Sequence, residues 1–402
     1  MHTDGNQSGG RPARRLPLSA GVAAAAGLAL IATACSSSAR QSSSKTAASE
    51  GKSSTVSISL TSQGCAPKPA KIAAGPVEFD VANKDADGVT EAELRTGDLS
   101  KILGEQENLT PGLSGSFSLT IQPGTYKISC PGASQPDWTF TVTGKATGPS
   151  WEGNPQLVTA VRGYAAYVKQ NTADLVSHTK TFCQAINAKD MNQAKALYPR
   201  ARVYYERIEP VAEVWGSLDT SIDGRWENPV TVKSQFTGFH RLEQMLWQDN
   251  SLNGAAAMCS ELVKNEQQLL TLVSKAQYNP LEMASGATDL INEAGTSKIS
   301  GEEERYSNTD LPVFAANVEA SMKVVTLLHP YLQGQDSGLV PLIQQRHAAV
   351  DDLLAHFQAT PGYDQTGYVE YTTVTKAERR QLSAAVNALA EAMSKMSAQV
   401  SG

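Results

Sequence analysis

The chain has 402 residues, with 34 Lys+Arg against 40 Asp+Glu, a net charge of -6, and 41% hydrophobic residues. That apolar share suffices for packed cores and excludes wholesale disorder. The absence of a basic surplus argues against a nucleic-acid partner, and a single long apolar run excludes a polytopic membrane protein.

The chain opens with an export signal. Arg11, Arg14 and Arg15 precede an uncharged Ala- and Gly-rich stretch from Leu18 to Ala34, and Cys35 follows small residues. This pattern predicts a signal peptide over 1–34 rather than a spanning helix. It also predicts lipidation of Cys35, with Ala32 departing from the usual Leu or Val of a bacterial lipobox. Leu16 and Pro17 after Arg14-Arg15 fit a twin-arginine signal poorly. Residues 35–54 are Ser-rich and read as a polar tether. The expected location is the outer face of the cell membrane, held there by the lipid anchor. Cys65, Cys130, Cys183 and Cys259 remain, an even number in an oxidising compartment. Three pairings are open, and the domain division favours Cys65 with Cys130 and Cys183 with Cys259.

Residues 55–145 read as strands. Val56, Ile58 and Leu60 alternate, as do Val77, Phe79 and Val81, and Phe117, Leu119 and Ile121. Turn signals between short strands predict a small β-sandwich. Residues 146–155 form a Gly- and Pro-containing linker. From 156 to 402 the period turns helical, as in Val158, Val161, Tyr164, Ala165 and Val168. Breakers such as Pro199, Pro210, Pro229, Pro280, Pro312 and Pro330 divide this half into a bundle of long helices.

The candidate chemistry lies in the helical half. His240 and Glu243 in Gly238-Phe-His-Arg-Leu-Glu243 are three apart, so on a helix they share a face and suit one metal ion. Glu206 and Glu209 have the same spacing, although acidic pairs are common on solvated helices. Glu302, Glu303 and Glu304 follow a glycine, where a helix dipole also favours acids. Asp223 by itself reads as a turn residue. Convergence of these carboxylates on one imidazole would call for a cation, with iron, manganese, zinc or calcium favoured over a thiophilic ion. A zinc peptidase would need Glu beside His240 and a second His at 244, where Arg241 and Gln244 stand instead. In the β-half no histidine is present, so a blue-copper site of the usual composition is excluded. Cys65 and Cys130 are open to two readings there: a disulfide, or thiolate ligands to copper together with Glu91 and Glu93.

The stretches Lys195-Ala-Leu-Tyr198, Tyr205-Glu-Arg-Ile-Glu-Pro210, Leu218-Asp-Thr-Ser-Ile-Asp223, Phe236-Thr-Gly-Phe-His-Arg-Leu-Glu243 and Lys298-Ile-Ser-Gly-Glu-Glu-Glu-Arg-Tyr306 resemble the imelysin family. Asn317-Val-Glu-Ala320, Gln122-Pro-Gly-Thr-Tyr126 and Cys130 extend the resemblance over roughly 55–395, to family members that carry a β-domain and serve bacterial iron uptake. The resemblance implies a small all-β cupredoxin-like sandwich followed by an all-α imelysin-type bundle. It implies metal ligands at His240, Glu243, Glu206, Glu209, Asp223 and one of the acids at 302–304, taken as Glu303. It further implies copper-type ligands at Cys65, Cys130, Glu91 and Glu93, with Ala92 where an aromatic often stands. Iron is the expected cargo, with copper as a second ion and zinc as an alternative. The implied partners are a membrane iron permease and an exported haem peroxidase. An exported metallopeptidase is the competing reading.

Overall fold

The computed structural model describes residues 54–99, 102–107, 109–145, 151–226, 229–230, 232–359 and 366–400. The expected signal peptide, the lipidated Cys35 and the tether to residue 53 lie outside the described residues.

The β-half is a two-sheet sandwich. One sheet has the order β1 (Ser54–Leu60), β3 (Gly75–Asn83), β6 (Ser114–Ile121), with β1 parallel to β3 and β6 antiparallel to it. The second has the order β2 (Lys71–Ala73), β8 (Asp137–Thr143), β7 (Gly124–Ser129), β4 (Ala92–Thr96), β5 (Ile102–Gln106). Val56, Ile58, Leu60, Val77, Phe79 and Val81 are all buried, as period-two patterning requires of one inward face. Phe79 stacks on Phe117 at 4.8 Å and meets Phe140 edge-on at 5.5 Å, joining the two sheets. Cys65 and Cys130 are bonded as a disulfide. Sulfurs bonded to each other are not thiolates, so the copper reading loses two of its four ligands. Strands β4 and β5 carry too few apolar residues to stand out in the sequence. In β4 only Ala92 and Leu94 face the sandwich core, while Glu93, itself buried, and Arg95 lie on the opposite face.

The helical half begins at α1 (Pro155–Asn187). Asn154 caps it by accepting from the backbone N–H groups of Gln156 and Leu157, and Pro155 supplies the preset φ of a first helical residue. The remaining long helices are α2 (Met191–Glu206), α6 (Ala255–Val273), α7 (Pro280–Thr296), α8 (Asp310–Gln335), α9 (Leu339–His356) and α10 (Lys376–Val400). Between them lie the short α3 (Glu209–Ala212), α4 (Gly216–Asp223) and α5 (Gly238–Trp247). The Cys183–Cys259 disulfide ties α1 to α6. Helix α8 is long and apolar enough to cross a membrane, but most of its apolar stretch is buried among its neighbours. Two expected breaks are absent. Pro199 stays inside α2 and Pro330 inside α8, where packing outweighs the one backbone hydrogen bond each proline forfeits.

The elements that matter for function meet at one end of the bundle. They are the end of α2, α3, the end of α4, the start of α5 and the segment 298–310 ahead of α8. Gly238 makes this meeting possible. Its φ is +74°, and a Cβ there would lie 2.0 Å from the carbonyl oxygen of Ile222, so only glycine lets α5 start against the end of α4.

Candidate metal centre

His240 sits on the first turn of α5 and is buried. Its Nδ1 lies 3.1 Å from Oε2 of Glu243, and Oε1 of Glu243 accepts from the backbone N–H groups of Tyr306 (2.9 Å) and Ser307 (2.7 Å). Both Glu243 oxygens are therefore engaged, one orienting the imidazole and one fixing the 306–307 loop. The pair shares a helix face, but its geometry is ligand and orienter rather than two ligands side by side. With Nδ1 turned to Glu243, Nε2 points at Oδ1 of Asp223 (3.5 Å) and Oε1 of Glu303 (3.7 Å). This buried Nε2 has no hydrogen-bond partner within bonding distance. An orphaned imidazole nitrogen facing two carboxylate oxygens fits a hard or borderline divalent or trivalent ion.

Two cations that the sequence reading passed over hold these acids. Arg202 on α2 is fully buried, and its guanidinium contacts Glu206, Asp223, Glu303 (3.2 Å) and Glu304 (2.8 Å). Lys298 lies 3.1 Å from Oε2 of Glu206 and 2.6 Å from both oxygens of Glu209. Asn317 on α8 adds hydrogen bonds to Oε2 of Glu206 (3.1 Å) and of Glu209 (3.2 Å). Arg225 pairs with the second oxygen of Glu303. The expectation that Glu206 and Glu209 share one helix face does not hold. α2 ends at Glu206 and α3 starts at Glu209, and the turn at 207–208 is bridged by Lys298. Nothing in residue spacing signals Arg202, Lys298 or Asn317 beyond Arg202 standing one turn before Glu206.

The electrostatics follow from this packing. Burial pulls His240 down, but the neighbouring carboxylates, Asp223 first and then Glu243 and Glu303, outweigh it and hold the ring well above the ordinary histidine value. Burial pushes Glu303 up, yet Arg225, Lys298 and His240 together bring it well below the usual carboxylate range. Asp219, which accepts a hydrogen bond from Tyr205, is pushed up to about 8 by burial and by Asp223.

Between the two halves lies a cleft of about 90 Å³, with Glu91 and Glu107 on the β-side and Glu213, Glu293, Asp223 and Glu303 on the helical side. It has room for water-sized or ion-sized occupants. Burial, then mutual repulsion, raises Glu105, Glu107 and Glu213 well above the ordinary range. Of the β-domain pair, Glu91 lines this cleft. Glu93 is buried in β4 and pairs with Arg95 at 3.4 Å, and burial followed by Glu91 pushes it up to about 7.

Comparisons with known proteins agree on the family. A family profile described as Imelysin matches residues 160–396, and one described as Cupredoxin-like domain matches residues 25–142. Curated proteins named "Iron uptake system component EfeO" from Escherichia coli O1:K1 / APEC, Escherichia coli strain K12 and Shigella flexneri are each 36% identical over 345 residues. Each alignment covers 85% of this chain and 90% of the relative.

Proposed function

The chain belongs to the imelysin family and is a homologue of EfeO with a cupredoxin-like domain, and from this premise we propose that it captures iron outside the cell membrane for an uptake system. The observation that carries the reading is the buried, unpartnered Nε2 of His240 aimed at Asp223 and Glu303. Iron is the cargo. His240, Asp223 and Glu303 contact it directly, and Glu243 keeps the proton on Nδ1, so that the proton the ion displaces is the one on Nε2. Arg202, Arg225 and Lys298 offset the repulsion among the carboxylates while the ion is absent.

Location follows from the signal peptide and the lipidated Cys35, which keep the protein at the membrane's outer face. A membrane iron permease receives the ion, since a tethered carrier has no pore of its own, and an exported haem peroxidase acts beside it. Copper is not part of this reading, because the Cys65–Cys130 disulfide leaves only Glu91 and Glu93, and carboxylates alone favour harder ions. Zinc is the competing occupant of the His240 site. The metallopeptidase alternative lacks support from the geometry. Arg241, where the general base would stand, is engaged with Gln244 and Asp249, and Gln244 stands where the second histidine would be.

The test is calorimetric titration of the metal-free mature chain with Fe²⁺ under argon, Fe³⁺ as citrate, and Zn²⁺. Wild type is expected to take up iron, and His240→Ala, Asp223→Asn and Glu303→Gln each to weaken it by at least about tenfold. Unchanged affinity in all three variants refutes the site.

A further inference from the structure

The ammonium of Lys298 occupies the position an ion would need in order to use Glu206 and Glu209. It lies 2.6 Å from both oxygens of Glu209 and 3.1 Å from one of Glu206, a two-plus-one oxygen arrangement, and Asn317 donates to the same two carboxylates. Oxygens of Glu206, Glu209 and Glu303 lie within 4.8 Å of one another, so the same atoms form an ion-sized set. Lys298 is buried, and moving its charge without a receiving carboxylate would be costly.

Such a receiver is next to it. Glu107, Glu213 and Glu293 bring oxygens within 4.8 Å of one another, and no ion pair engages any of them among the described residues. Glu293 is on α7, Lys298 stands two residues past that helix's end, and one cleft is lined by Glu209 and Glu303 of the first set together with Glu107, Glu213 and Glu293 of the second. Glu293 already contributes to the field that keeps the ammonium charged, after Glu206 and Glu209.

We propose that Lys298 is a resident cation that holds Glu206 and Glu209 together until the incoming metal takes their oxygens, and that the Glu107–Glu213–Glu293 set then receives the displaced ammonium. Lys298 is thus a positioning and selectivity residue of the centre. Only an ion that outcompetes a tethered ammonium engages Glu206 and Glu209, and a weaker one stops at His240, Asp223 and Glu303. This inference rests on the iron reading above.

The experiment is anaerobic Fe²⁺ titration of the full mature chain, with folding checked by circular dichroism. Displacement predicts affinities in the order Lys298→Met, wild type, Lys298→Arg, with steps of about tenfold. Methionine removes the competitor, whereas a guanidinium fork grips two carboxylates more firmly than an ammonium and retracts less readily. A lysine that serves structure alone predicts the opposite, with wild type tightest and Lys298→Met weakest, and that order overturns the proposal. Should Lys298→Met fail to fold, Glu293→Gln decides the matter. It is expected to weaken Fe²⁺ binding severalfold with Lys298 present and to leave it unchanged with Lys298→Gln. Equal weakening in both backgrounds overturns the proposal. A wild-type chain that takes up no Fe²⁺ sinks the iron reading, whereas a wild type that binds with the reversed variant order sinks this inference alone.

Discussion

Glu266 and Glu206 are both fully buried, yet one is alone and the other is in company. Glu266 faces α1 from α6. One oxygen accepts from Thr179 at 2.7 Å, and the other has no partner. Burial pushes its pKa far up, so this carboxyl keeps its proton. Glu206 instead contacts Arg202, Lys298 and Asn317, and it shares the two cations with Glu209, Asp223, Glu303 and Glu304. A fold can therefore bury a carboxyl by protonating it or by supplying a cation. Only the second solution leaves a place where one cation can be exchanged for another.

Four measurements break or sharpen that contrast. The largest effect is expected from Arg202→Ala, which strips four carboxylates of their shared cation and should cost about 3–5 kcal/mol in urea unfolding. A loss under about 1 kcal/mol would mean that these acids are neutral like Glu266. Next comes Glu243→Gln, which keeps the acceptor for the Tyr306 and Ser307 N–H groups but no longer favours the correct imidazole tautomer. Iron affinity should fall about 10–100-fold with little change in melting temperature. An unchanged affinity would remove Glu243 from the centre.

Glu266→Gln should do the reverse and stabilise. The folded carboxyl titrates above the unfolded one, so the wild type loses stability as pH rises from about 4.5 toward the folded value. The variant should match wild type at pH 4 and be more stable by about 1–2 kcal/mol at pH 6, read from melting curves. Equal curves at both pH values would show that Glu266 has found a cation. The smallest effect belongs to Arg207→Ala. Its 2.8 Å pair with Glu319 is largely solvated, and its loss should cost under about 1 kcal/mol.

The contrast also explains what was legible in the sequence. Alternation in β1, β3 and β6 announced the sandwich, because one inward face must be apolar at every second residue. The helical period announced the bundle for a similar reason. Strands β4 and β5 were silent, since their outward faces carry Glu93, Arg95 and Glu105, which read as loop. The spacing of His240 and Glu243 marked a pair on one helix but not that Glu243 spends both oxygens on orientation. Assigning Asp223 and Glu303 to a centre took the family resemblance, because no local spacing links positions 80 residues apart. Arg202 and Lys298 escaped notice because a cation inside a charged stretch looks like solvated surface. Only the partners brought from about 100 residues away reveal it as interior.

Gly216 carries one last consequence. A Cβ there would stand 3.4 Å from Ile102 and from Arg95, so the sandwich and the bundle touch with almost nothing between them. The acidic cleft beside that contact is walled by both halves at once. Cutting the gene at the linker would therefore leave the His240 centre on the helical fragment but take Glu91 and Glu107 from the wall of that cleft. A helical fragment would present Glu213 and Glu293 in an open, hydrated basin, where bulk solvent competes for any ion and these two acids move back toward ordinary strength.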